Sequence, residues 1–67
     1  MGYGEDEMMQ GYLDGLDLSS PEPSDNRSRS YRHGFKNGRS DRTGKVWTTA
    51  QHARALAEAC IEADETA

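Results

Sequence analysis

Gly11-Tyr12-Leu13-Asp14-Gly15 recurs 23 residues later as Gly34-Phe35-Lys36-Asn37-Gly38. Glycines spaced four apart fall on one face of a helix, where the missing Cβ lets another backbone approach closely. Because glycine costs a helix interior up to about 1 kcal/mol relative to alanine, this repetition predicts a packing role. We expect two similar helices that meet glycine face to glycine face, with aromatic side chains beside the contact. The predicted packing residues are Gly11, Tyr12, Gly15, Tyr31, Gly34, Phe35 and Gly38.

The first of these helices is predicted near residues 5–17. Its apolar residues recur at helical spacing, and the carboxylates of its first turn suit the helix macrodipole. Residues 1–4 are expected to fray. Residues 18–24 contain Pro21 and Pro23, and each proline biases its predecessor away from helical angles. A semi-stiff linker is therefore predicted at 18–24.

The second helix is predicted near residues 26–42. It should begin between Ser24 and Ser28, where several residues can cap its N-terminus. Gly44 in a left-handed conformation should end it. A basic face is expected beside the glycine face, with cations at i, i+4 and i+7: Arg32, Lys36 and Arg39.

The third helix is predicted near residues 48–64. Thr48-Thr49-Ala50-Gln51 matches a capping box, with Thr48 as the N-cap and Gln51 at the third helical position. A narrow stripe of small residues should pack on the first two helices or on another molecule: Ala53, Leu56, Ala57, Cys60 and Ala63. Together the patterns predict one all-α domain of three helices over residues 1–67.

The composition narrows the class of protein. The chain has 67 residues, of which 33% are hydrophobic, so its core should be small. Its single cysteine, Cys60, excludes an internal disulfide and favours a reducing compartment. No apolar run approaches the roughly 20 residues of a membrane span, and the start of the chain lacks the pattern of a signal peptide. We therefore expect a cytoplasmic protein.

The charges are segregated along the chain. Residues 1–26 hold seven carboxylates and no Lys or Arg, residues 27–45 hold seven Lys or Arg and one Asp, and residues 46–67 hold four carboxylates and one Arg. The basic block either neutralises its neighbours within the fold or faces an anionic partner. The candidate residues for binding a nucleic acid or another partner are Arg27, Arg29, Arg32, Lys36, Arg39, Arg42 and Lys45.

Other candidate sites are weaker. His33 and His52 lack a second ligand at metal-binding spacing, which favours surface histidines. Cys60 lies on an alanine-rich stripe, which favours a small buried side chain over a nucleophile. Trp47 could stack on a base or anchor a partner, but sealing the joint between the second and third helices is the simpler role. No catalytic residue, metal site or cofactor is predicted.

Three segments carry a resemblance to a known family. They are Gly11-Tyr12-Leu13-Asp14-Gly15, the connector with Pro21 or Pro23, and Tyr31-Arg32-His33-Gly34-Phe35-Lys36-Asn37-Gly38-Arg39. Over roughly residues 8–42 the chain resembles the bacterial ribosome modulation factors, which are small and helical. The resemblance implies binding to ribosomal RNA and protein and silencing of translation in slow growth.

Two functions are consistent with these features. The first is a non-enzymatic bacterial or phage regulator that binds RNA or a ribonucleoprotein through the basic second helix. The alternative is a small phage-type inhibitor or adaptor, of the anti-defence type, that binds a host protein or nucleoprotein complex. In that case the acidic surfaces and the Ala/Leu face of the third helix would form the contact.

Overall fold

A computed structural model describes residues 2–66 and shows three α-helices. They are α1 (Tyr3–Leu16), α2 (Arg29–Thr43) and α3 (Ala50–Thr66). The all-α class predicted from the sequence is confirmed, since residues 2–66 contain no strand. Among these residues, none of the helices combines the length and the apolar character that crossing a membrane requires.

The repeated glycines lie where α1 and α2 touch. A Cβ on Gly11 would lie less than 3.0 Å from the carbonyl oxygen of Tyr31, and one on Gly34 would lie equally close to that of Met8. One turn further along, Gly15 approaches the carbonyl oxygen of Phe35 and Gly38 approaches that of Tyr12 in the same way. Each of these glycine contacts therefore has a counterpart in the other helix, so a pseudo-twofold axis relates the two glycine motifs.

Helices α1 and α2 run in the same direction, because their contacts advance together along both helices. Gly11 faces the turn that begins at Tyr31, and Gly15 faces the turn that begins at Phe35. The connector, residues 17–28, must therefore run back along α1, which is about 21 Å long for its 14 residues. An extended chain of this length spans about 40 Å, so the proline-containing connector covers the distance easily.

The core lies beside the glycine contact. Tyr31 and Phe35 of α2 are only 6% and 4% exposed. Tyr31 also donates a hydrogen bond from its hydroxyl to the carboxylate of Asp14 on α1. In the opposite direction, the Tyr12 hydroxyl of α1 donates to Asp41 on α2 at 2.6 Å. These two bonds join the helices on either side of their contact.

Helix α3 runs antiparallel to this pair and packs on it less tightly. None of its residues, 50–66, is buried, although the predicted stripe of small residues is half-buried. A Cβ on Gly4 would lie 3.0 Å from the Cα of Ile61, so the start of α1 lies directly against the last turns of α3.

Two carboxylates near the end of α3 bind the starts of both other helices. Asp64 accepts from the backbone N–H groups of Ser30 at 2.7 Å and Arg29 at 3.3 Å, and Glu65 accepts from that of Gly4 at 3.2 Å. Burial raises the pKa of Asp64, but these hydrogen bonds outweigh it, and the pKa lies below its ordinary value. The macrodipoles of α1 and α2 favour negative charge at this place.

The predicted stop of α2 is confirmed, and its N-cap is the last residue of the predicted interval, Ser24 to Ser28. Ser28 is the N-cap, and its hydroxyl accepts from the backbone N–H of Tyr31 at 3.0 Å. Gly44 ends the helix in the left-handed conformation with φ of 77°. The helix covers Arg29–Thr43 instead of the predicted residues 26–42, since Ser28 caps it and residues 26 and 27 precede the cap.

The predicted starts of α1 and α3 are wrong. Helix α1 begins at Tyr3 rather than fraying through residue 4, because Glu5 accepts from the N–H of the N-cap, Gly2, and Glu65 accepts from that of Gly4. Residue 1 lies outside the described residues. Helix α3 is capped by Thr49 and not by Thr48. The Thr49 hydroxyl accepts from the backbone N–H of His52 at 3.1 Å, so the capping box with Gln51 does not form.

Candidate nucleic-acid interface

A groove of about 470 Å³ runs along α2, walled by the connector and by the segment that precedes α3. We call it the basic groove, because four of the seven predicted binding residues line it: Arg32, Lys36, Arg39 and Lys45. Phe35 and Trp47 add aromatic surface to the same groove, and Glu22 and Pro23 of the connector complete its wall. The sequence pattern does not indicate that the connector lines this groove. The connector does so because α1 and α2 are parallel, which makes it run back along the helix pair.

Helical spacing and one glycine turn bring these cations together. The three from α2 follow one another at i, i+4 and i+7 and so share a face. Beyond them, Gly44 turns the chain in its left-handed conformation. The Ser40 hydroxyl then donates to the carbonyl oxygen of Lys45. This bond holds Lys45 beside the face that already carries Lys36.

The other three predicted binding residues lie outside the lining of the groove. Arg27 stacks its guanidinium over the ring of Tyr31, 3.6 Å from the centroid. Arg29 begins α2 next to Asp64, at the end of the molecule where the carboxylates of α3 lie. Arg42 is exposed in the last turn of α2.

The four cations of the basic groove differ in the number of hydrogen bonds and ion pairs that they make within the protein. Arg39 donates to the carbonyl oxygens of Gly15 at 2.9 Å, Asp17 at 3.2 Å and Ser20 at 2.9 Å, so it holds the connector in place. Arg32 makes one long ion pair, 3.9 Å, with the exposed Asp25. Exposed pairs of this kind contribute little. Arg39 is therefore structural, whereas Arg32 is available to a ligand.

Trp47 forms one wall of the groove and is held by α2. Its Nε1 donates to Oδ1 of Asn37 at 3.0 Å, and the ring of His33 meets it edge-on with centroids 5.7 Å apart. The ammonium of Lys36 lies 4.6 Å from the centroid of the indole. Trp47 thus joins α2 to the segment before α3, and it also presents an aromatic face beside two exposed lysines, Lys36 and Lys45.

His33 is buried, so its prediction as a surface histidine is wrong. Since Oδ1 of Asn37 accepts from Trp47, the Asn37 amide nitrogen must donate to Nε2 of His33, 3.1 Å away. The imidazole is therefore neutral, with its proton on Nδ1. Burial lowers the pKa of His33, the nearby charge of Lys36 lowers it further, and a hydrogen bond with the backbone of Ala53 opposes them.

The remaining candidate residues of the sequence are dispersed. His52 is exposed on α3. Cys60 is half-buried, and burial raises the pKa of its thiol, which disfavours the nucleophilic thiolate. Within residues 2–66, no three His, Cys, Asp or Glu side chains are grouped so that they could hold a metal ion. The basic groove is thus the place where the described residues concentrate charge and aromatic surface.

Comparison of the chain with protein-family models, with curated proteins and with solved structures gave no match.

Proposed function

We propose that the chain is a small, non-enzymatic regulator that binds RNA, alone or within a ribonucleoprotein, through the basic groove. The observation that carries the proposal is that Arg32, Lys36 and Lys45 line one groove together with Trp47, and that the Lys36 ammonium lies 4.6 Å from the indole centroid. Arginine and lysine contact phosphates, and an indole ring stacks on bases of any sequence.

A single-stranded segment suits this groove better than a duplex. Its volume of about 470 Å³ accommodates a few side groups rather than a helix of double-stranded RNA. Proteins recognise single strands by tracking the backbone with cations while bases stack on aromatic side chains. Lys36 lies over the indole on a flexible, exposed side chain, so a base can take its place on the ring while the ammonium moves to the adjoining phosphate.

The charge balance sets an upper limit on the strength of this binding. The whole chain carries a net charge of −4, so long-range attraction to RNA is weak. Binding then depends on the few cations in the groove. If three of them contact phosphates, the logarithm of the binding constant should fall with the logarithm of salt concentration with a slope of about −2 for a single strand.

The resemblance of residues 8–42 to ribosome modulation factors supports ribosomal RNA as the physiological target and translation as the regulated process. The helix pair that carries the resemblance is the element on which the basic groove is built. In this proposal the acidic α1 positions α2 through the glycine contact, and α2 makes the contact with RNA in the cytoplasm.

The test is a titration of a labelled single-stranded RNA of about 12 nucleotides, followed by fluorescence anisotropy between about 50 and 200 mM salt. Lys36→Glu should weaken binding by about tenfold or more and flatten the salt slope by about one unit. Arg54→Glu on α3 makes the same change of net charge outside the basic groove and should bind within about twofold of the wild type.

Equal loss in both variants would mean that only net charge matters and would refute the basic groove as the site. A wild type that binds no RNA at low salt would refute the RNA proposal and favour the inhibitor or adaptor that binds a protein. Circular dichroism of each variant checks that the helices are intact.

A further inference from the structure

A second groove follows the seam between α1 and α3 and shares only Ser40 and Trp47 with the basic groove. It consists of two adjoining cavities of about 400 and 680 Å³ that share Tyr12 and Asn37. We call it the seam groove. Its lining is mostly apolar and comes from both flanking helices: Met8, Met9, Tyr12, Ala53, Ala57 and Ile61.

The seam is open because the glycine contact draws α1 onto α2 and leaves α3 with small side chains. Ala53 and Ala57 cannot fill the space that faces α1, and no residue of α3 is buried among the residues described, 2–66. Met9 on one edge is 60% exposed and Val46 at one end is 83% exposed. The fold thus leaves this apolar lining open to a partner.

The charges around the seam groove specify its occupant. Helix α1 carries four carboxylates and no Lys or Arg, and α3 carries four carboxylates and one Arg. Glu5 of α1 and Asp41 of α2 lie in the lining itself, where Arg54 of α3 is the one cation, and α2 also contributes the uncharged Gly34 and Asn37. An apolar groove between two acidic helices fits an apolar stripe that is bordered by cations.

We propose that the seam groove binds a cationic amphipathic helix of a partner protein. The groove follows α3 from Ala50 to Ile61, which is about 18 Å and matches a helix of about 12 residues. The partner's apolar side chains at i, i+3, i+4 and i+7 enter between the alanines of α3 and the methionines of α1. Its Lys and Arg side chains face Glu5 and Asp41 of the lining and the exposed carboxylates Glu58 and Glu62 of α3.

A second copy of this chain does not meet the requirement. Its own α1 and α3 are acidic and repel the same helices. Its basic helix, α2, buries Tyr31 and Phe35 in the core and therefore has no apolar stripe to insert among its cations. The occupant is for this reason a foreign helix.

The probe for this site is a helical peptide of Leu and Lys, about 14 residues long with leucines at helical spacing. Trp47 lies in the wall of the seam groove and is the only tryptophan, so its emission reports binding of a peptide without tryptophan. The peptide should shift the Trp47 emission saturably in the absence of RNA. A peptide with Glu in place of every Lys should not.

Matched variants locate the contact. Met9→Arg places a cation on the edge of the seam groove and should weaken binding of the Leu/Lys peptide by about tenfold or more. Gln10→Arg makes a change of similar size on the neighbouring exposed residue, outside the lining, and should bind like the wild type. On α3, Ala57→Arg should weaken binding and Ala59→Arg should not, since only Ala57 lines the groove.

Three results would overturn the proposal. The first is that Met9→Arg binds the peptide as tightly as Gln10→Arg does, and the second is that the Glu peptide binds as tightly as the Lys peptide. The third is that sedimentation detects self-association of the chain and that Met9→Arg abolishes it, which would assign the seam groove to a second copy. Because Met9 is exposed, its variant should fold normally, and thermal melts verify this. Lys36→Glu should leave peptide binding unchanged, so failure here is distinguishable from failure of RNA binding.

Discussion

Adding a single methyl group at Gly34 should separate α1 from α2. The Cβ of Gly34→Ala would lie less than 3.0 Å from the Met8 carbonyl oxygen, whereas ordinary contacts of a Cβ begin at 3.4 Å. The helices must move apart by about 1 Å to relieve this, which costs about 1–3 kcal/mol as in other overpacked sites. Alanine returns up to about 1 kcal/mol through its higher helix propensity. With the full return, the net loss is up to about 2 kcal/mol, which should lower Tm by up to about 16 °C.

Thermal melts followed by circular dichroism at 222 nm test this reasoning, with two other glycine variants as comparisons. The pseudo-twofold axis predicts that Gly11→Ala lowers Tm as much as Gly34→Ala does. Gly4→Ala should cost less, because its Cβ would meet Ile61 at 3.0 Å on the loosely packed α3. A Gly34→Ala protein with a higher Tm than the wild type would refute the close contact, since helix propensity alone would then decide the outcome.

Two further predictions concern single side chains. Thr49→Ala should lower the free energy of unfolding, measured in urea, by about 1 kcal/mol, the usual contribution of an N-cap. Thr48→Ala should change this free energy little. The reverse order would show that Thr48 is the cap. Burial lowers the pKa of His33, so the unfolded chain binds protons first and stability should fall as pH decreases below about 6.5. His33→Gln should lose part of this pH dependence, while His52→Gln retains it; identical pH profiles for both variants would exclude His33 as its source.

The sequence predicted the parts of the fold that depend on local chemistry. The glycine repeat indicated a close helix pair, the capping residues between Ser24 and Ser28 indicated the start of α2, and Gly44 indicated its end. The choice between Thr48 and Thr49 was not predictable in this way, because both residues can cap and only the first turn of α3 distinguishes them. The parallel direction of α1 and α2 was likewise open, since the connector is long enough for either direction.

The candidate site was predicted in part for the same reason. Lys36 shares a helix face with Arg32, which spacing alone reveals. Their meeting with Lys45 and Trp47 depends on the turn after α2, and the burial of His33 depends on that same tryptophan and on α3. These contacts join residues that are distant along the chain, so no local pattern encodes them.

The pseudo-twofold axis has a consequence for how the molecule approaches other molecules. It places an acidic helix, α1, and a basic helix, α2, in equivalent positions on either side of the axis. Helix α1 carries four carboxylates, whereas α2 carries five Lys or Arg and one Asp. The resulting electric dipole lies across the helix pair and not along it. In the field of a polyanion this dipole experiences a torque that turns α2 toward the field's source before contact. A chain with a net charge of −4 can in this way collide with a negatively charged target already in the productive orientation.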